Sequence, residues 1–128
     1  VVGHAPGFWA EFDGDITAES KFIYPTGPVR REGRLFHLLR TYPNLYADIS
    51  AISGYLAMSR DNAFGVRFLI EFQDRILFGT DVCFGDTEGR MPHLGYLRSL
   101  LDENLITTAV FAKVTGTNAL RVLKLYSP

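Results

Sequence analysis

The stretch Arg75-Ile76-Leu77-Phe78-Gly79-Thr80-Asp81 limits the folds open to this chain more than any other. An apolar β-type run stops abruptly at Gly-Thr and then delivers a carboxylate. Charge at the buried end of a strand is costly unless something meets it. Parallel sheets and barrels place reactive acids there, at the carboxyl ends of their strands. The run therefore predicts a strand near 75–80 in a parallel sheet, with Asp81 at its carboxyl end. Asp in that place also serves to cap the loop or helix that follows. Asp81 thus reads either as a cap or as a group that binds a metal, holds a water or moves a proton.

Other strands are legible by the same logic. Val1 to His4 reads as the end of a buried strand, and Leu45 to Ser50 as a second that alternates apolar and mixed residues. Leu35, Leu38, Leu39 and Tyr42 recur at helical spacing, which predicts a helix over Val29–Tyr42 stopped by Pro43-Asn44. Ser59-Arg60-Asp61-Asn62 offers N-cap residues for a helix running to about Phe72. Helical patterns follow over Pro92–Asp102 and Thr107–Val114. Thr115-Gly116-Thr117-Asn118 then predicts a break and a new cap before a last helix, Ala119–Leu125. Ala5 to Pro28, rich in Gly, Pro and acidic residues, reads as a long connection. Strands alternating with helices predict parallel, right-handed βα units. Three strands leave two open sheet edges, which soluble proteins normally cover.

Composition narrows the function. With 128 residues, 47% of them hydrophobic, the chain can bury a full core. A net charge of −1 offers no electrostatic footprint for nucleic acid or an anionic membrane, so neither is expected as a partner. The single cysteine, Cys83, rules out an intrachain disulfide and reads as a small apolar residue; a cytoplasmic location is the default expectation.

The polar residues at the strand ends form a candidate site. His4 on the first strand is suited to zinc ligation or general-base work, or is a histidine satisfied by a neighbouring carbonyl. Topology brings His4 and Asp81 to one face, which favours a site. Asp48 and Ser50 lie on one side of the middle strand and could lend hydrogen bonds there, or be solvated. Phe8 and Trp9 either wall a substrate pocket or pin the loop to the core. His93 follows Asp81 at a distance that lets it overhang the site, whereas His37 reads as a surface residue. No phosphate loop, nucleophile elbow or Ser-His-Asp arrangement is visible.

Taken together, these segments resemble a known family. Val2-Gly3-His4-Ala5-Pro6-Gly7-Phe8-Trp9 is similar to the end of strand six in the amidohydrolase superfamily, closest to the amidohydrolase-2 branch that includes aminocarboxymuconate-semialdehyde-decarboxylase-like enzymes. Tyr42 to Ser50 resembles that branch's seventh strand, Arg75 to Asp81 its eighth, and Gly116-Thr117-Asn118-Ala119 its closing helix. The resemblance implies an α/β fold, about three of the eight units at the C-terminal part of a TIM (β/α)8 barrel. It implies a metal-dependent hydrolase, or a decarboxylase (a lyase), acting on a small carbonyl, amide or carboxylate substrate. Zinc is the metal expected, with manganese the alternative. Asp81 and His4 would be metal-binding and catalytic, and Phe8, Trp9, Ser50 and His93 would line the substrate pocket. The family's strand-one His-x-His pair and strand-five histidine have no counterpart here. The chain is therefore expected to associate with a missing N-terminal barrel portion or with copies of itself, or to be a non-catalytic fragment that self-associates.

Overall fold

The computed structural model describes residues 1–82 and 91–125. All three strands form, each shorter than the run that announces it: β1 is Val2–Gly3, β2 Tyr46–Asp48 and β3 Ile76–Leu77. They pair in parallel in the order β1-β2-β3. Parallel neighbours need a crossover between them. Helices α1 (Ala5–Ala10) and α2 (Arg34–Thr41) join β1 to β2, and α3 (Ala51–Ser59) and α4 (Asn62–Glu71) join β2 to β3. Helices α5 (Pro92–Asp102), α6 (Thr108–Ala112) and α7 (Asn118–Val122) follow β3. The alternation thus yields the expected sheet of parallel βα units, consistent with part of a barrel.

Register gives the sheet two unlike faces. Gly3, Ala47 and Ile76 are paired neighbours on one face, where Ala47 and Ile76 are fully buried. Val2, Tyr46, Asp48 and Leu77 share the other; Val2 is exposed and the rest are half-buried. Parallel sheets are normally covered on both faces. Here only one is covered by the described residues.

The covered side is filled by aromatic rings. Phe12, Phe36 and Phe68 form a triangle with centroids 5.1–5.3 Å apart. Phe72 and Trp9 extend it, 5.0 and 5.8 Å from Phe68. The long connection is fastened to this core by buried polar bonds. Arg60 Nη2 donates to Asp13 at 2.7 Å, and Asp61 accepts from Val29 N at 3.0 Å while capping α4 through Phe64 N.

Several elements differ from expectation. Residues 5–28 are not wholly irregular: Pro6, with φ preset for a helix start, begins α1, whose Trp9 and Ala10 are buried. The helix expected over Val29–Tyr42 starts only at Arg34, because Glu32 pairs with Asp13 in an antiparallel bridge and Gly33 packs on Glu11. A Cβ at Gly33 would sit 2.0 Å from the Glu11 carbonyl oxygen, so no other residue fits. Helix α3 was not signalled, since Ala51–Ser59 lacks an amphipathic stripe. It forms because Gly54 lets the helix lie against the Ile49 backbone. Nor does the chain break at residues 115–118. Thr117 and Asn118 are helical, and a π-helical turn, Lys113–Thr117, carries α6 into α7. Buried Asn118 uses its Nδ2 to donate to the carbonyls of Gln73 and Ile76, tying α7 to the start of β3.

Tyr96 on α5 supplies a stability prediction. Its hydroxyl is buried and has no hydrogen-bond partner among the described residues. Burial raises its pKa above the ordinary value of 10.0, with the neighbouring Tyr55 and Asp61 adding to the effect. A folded-state pKa raised in this way contributes stability fully below about pH 10, which is lost as pH climbs toward the folded value. Tyr96→Phe is expected to change stability at pH 7 by less than about 1 kcal/mol, since it removes an unsatisfied hydroxyl. Urea unfolding at pH 10–11 should show the variant losing less stability than the parent. An identical alkaline decline in both would refute the assignment.

Candidate functional site at the strand ends

The three strands end level with one another, and the chain leaves each through a turn containing a residue in the left-handed region. These are Ala5 (φ 74°) after β1, Ala51 (φ 59°) after β2 and Asp81 (φ 50°) after β3. Non-glycine residues visit this region rarely, and such strain gathers where a site demands a particular backbone. All three flank one cluster of polar side chains.

His4 is its centre. Nδ1 of His4 lies 3.2 Å from Asp48 Oδ2 and 3.3 Å from Ser50 Oγ, and Nε2 lies 3.4 Å from Asp81 Oδ2. Ser50 Oγ donates to Asp48 Oδ2 at 2.7 Å, and Ser50 N donates to Asp48 Oδ1 at 2.9 Å. Both carboxylates can only accept, so the imidazole donates from Nδ1 to Asp48 or from Nε2 to Asp81, and the shorter contact is the one to Asp48. Gly79 makes the close approach possible: a Cβ there would stand 3.2 Å from Ser50 Cβ and 3.6 Å from Asp48 Oδ1. His4 is 37% exposed, Asp48 24% and Asp81 45%, so the cluster sits at the open side of the sheet.

The other candidate residues lie around it. Trp9 is buried and its Nε1 donates to the Asp48 carbonyl at 2.9 Å, fixing the end of β2 from beneath. Phe8, half-buried, lies over Gly3, where its ring fills the space a Cβ would take. Trp9 also lines, with Pro6, Tyr24, Ser53 and Arg60, a shallow recess of about 10 Å³ that contains none of His4, Asp48 or Asp81. His93 is buried behind the Ser50 turn, with Nε2 at the Ala51 carbonyl. His37 is exposed on α2. Cys83 lies outside the described residues. What sequence reasoning missed is the strain at Ala5 and Ala51. An Ala directly after a polar strand end carries no signal of a positive φ.

The gap between His4 Nε2 and Asp81 bears on metal binding. A lone pair facing a carboxylate is repulsive unless a proton or cation lies between them. Two donors, each about 2.0–2.2 Å from a tetrahedral ion, stand about 3.3–3.5 Å apart, close to the separation here. The imidazole nitrogen and carboxylate oxygen suit zinc. Yet no group of three His, Cys, Asp or Glu able to hold a metal is found among the described residues. The pair fits part of a ligand set, and the set is not complete within those residues.

A family model described as amidohydrolase matches residues 28–125, a span that includes β2, β3, Asp48, Ser50 and Asp81 but not His4. No curated protein and no solved structure matches the chain significantly. None of the described helices is long and apolar enough to cross a membrane. With the match spanning most of the chain and the strand-end acids in place, the chain belongs to the amidohydrolase family.

Proposed function

We propose that the chain is the C-terminal portion of a metal-dependent hydrolase or decarboxylase of the amidohydrolase-2 type, acting on a small carbonyl, amide or carboxylate substrate. The observation that carries this reading is the convergence of His4, Asp48, Ser50 and Asp81 at the carboxyl ends of parallel strands. Support for a partial barrel comes from the sheet. One face is open, and the described residues form three strands where a closed (β/α)8 barrel has eight. A further barrel portion would cover that face and bring the remaining ligands.

In this arrangement Asp81 is the donor that would hold a divalent ion, zinc or manganese, with His4 beside it as the base. Such an ion lowers the pKa of bound water and polarises a carbonyl or carboxylate. The chain's own contribution is proton handling. Asp48 and Ser50 hold His4 in its Nδ1–H form, which leaves Nε2 free to accept a proton at the open side of the sheet. Asp81, opposite, orients the group from which that proton is taken. Gly79 and the three strained turns fix the distances.

The test is metal content. The product of the complete reading frame should carry a divalent metal in stoichiometric amount, lost in Asp81→Asn, whereas residues 1–128 alone should carry none. A metal-free, inactive complete product would sink the reading and favour a non-catalytic module that self-associates.

A further inference from the structure

We propose that His93 is a positioning residue. By donating its Nε2–H to the Ala51 carbonyl, it holds the β2–α3 turn in the conformation that presents Ser50 to His4 and Asp48. The inference rests on the reading of these side chains as the reactive site. His93 comes from α5, the element that follows the Asp81 segment, and is 2% exposed. Its ring stands edge-on to Tyr55, with centroids 5.7 Å apart, and its Nε2 meets the Ala51 carbonyl. A carbonyl can only accept, so Nε2 carries the proton. Nδ1, buried without a partner among the described residues, is the bare nitrogen.

Ala51 is a residue that needs holding. It lies at φ 59°, a conformation that residues with a Cβ rarely adopt. The residue before it, Ser50, is 3% exposed and spends its hydroxyl on Asp48 at 2.7 Å, 3.3 Å from His4 Nδ1. Relaxing the Ala51 backbone would rotate Ser50 away from both partners. The turn cannot yield toward the sheet, because Gly54 already packs on Ile49. The bond from His93 closes it from the other side. It also ties the helix that follows Asp81 to the turn that follows Asp48, so one buried imidazole links two of the three strand ends.

The chain has three histidines, so long-range ¹H–¹⁵N imidazole spectra of the metal-free protein can assign each ring. His93 is expected as a single, slowly exchanging Nε2–H form, and His4 as one set of signals fixed by its contacts with Asp48, Ser50 and Asp81. In His93→Phe, which keeps a ring and removes the donor, the His4 signals should move as Ser50 leaves Asp48, while exposed His37 stays put. His93→Gln, whose amide can donate to the same carbonyl, should restore the His4 signature. A merely structural role would lower the melting temperature in both variants and leave the His4 signals unchanged. That result in folded His93→Phe overturns the proposal. So does finding wild-type His93 in the Nδ1–H form, which needs no variant at all. No substrate or metal enters the measurement. A failed metal or turnover assay would therefore count against the catalytic reading alone.

Discussion

Asp81→Asn in the complete protein is expected to lower turnover by about 10²–10⁴-fold, the range set by loss of a general acid–base group. His4→Ala should do the same, because His4 Nε2 and Asp81 Oδ2 face each other at 3.4 Å and, in the proposed function, act on the same proton. The two losses should not add, as groups acting as a unit give non-additive effects. Asp48→Asn is the more discriminating variant. An amide in place of the carboxylate can donate to His4 Nδ1, which favours the tautomer with its proton on Nε2 and removes the base. Steady-state kinetics on the complete protein, with any substrate it turns over, supply the check. Near-parental rates in Asp81→Asn or His4→Ala would show that the strand-end cluster is not the reactive site.

Phe68→Ala is expected to cost about 3–5 kcal/mol, the usual penalty for emptying a buried aromatic site. The ring is fully buried and touches four others, Trp9, Phe12, Phe36 and Phe72, with centroids 5.0–5.8 Å away. Neither Phe12 nor Phe36 can collapse into the space without abandoning its own edge-on contacts. Domains of this size are stable by only about 5–15 kcal/mol, so the variant should be partly unfolded near room temperature or show a much lower urea midpoint. Phe22→Ala is the control. Phe22 is 79% exposed, and its removal should change stability by about 0.5 kcal/mol or less. Equal, small effects in the two variants would mean that the aromatic cluster is not the core.

Much of this was legible because it depends on short-range pattern. Asp61 caps α4 and α5 begins at Pro92, as their local residues announce. The strand positions follow from the apolar runs, although pairing confines β3 to Ile76–Leu77, since only residues with a partner strand alongside complete the ladder. The helices misjudged are those whose signal is tertiary. Helix α3 owes its place to Gly54 against Ile49, and α2 starts late because of contacts that Gly33 and Glu32 make with residues about twenty positions earlier. The break expected at residues 115–118 fails because Asn118 finds its acceptors at Gln73, just before β3, and at Ile76 on β3 rather than on its own helix.

The candidate site divides along the same line. Residue type and strand-end position singled out His4, Asp48, Ser50 and Asp81 one by one, since polar groups after apolar runs stand out in any sequence. What only the folded chain decided is who meets whom. Parallel register sets Asp48 and Leu77 side by side, and His4 comes to rest between two carboxylates, one at each ring nitrogen. Left-handed turns at Ala5, Ala51 and Asp81 are equally invisible in the sequence, because the packing around an alanine, and not the alanine, holds it there. Local chemistry singled out the side chains that form the candidate site. Long-range packing set the few ångströms between them, because register and turn conformation depend on contacts far apart in the chain.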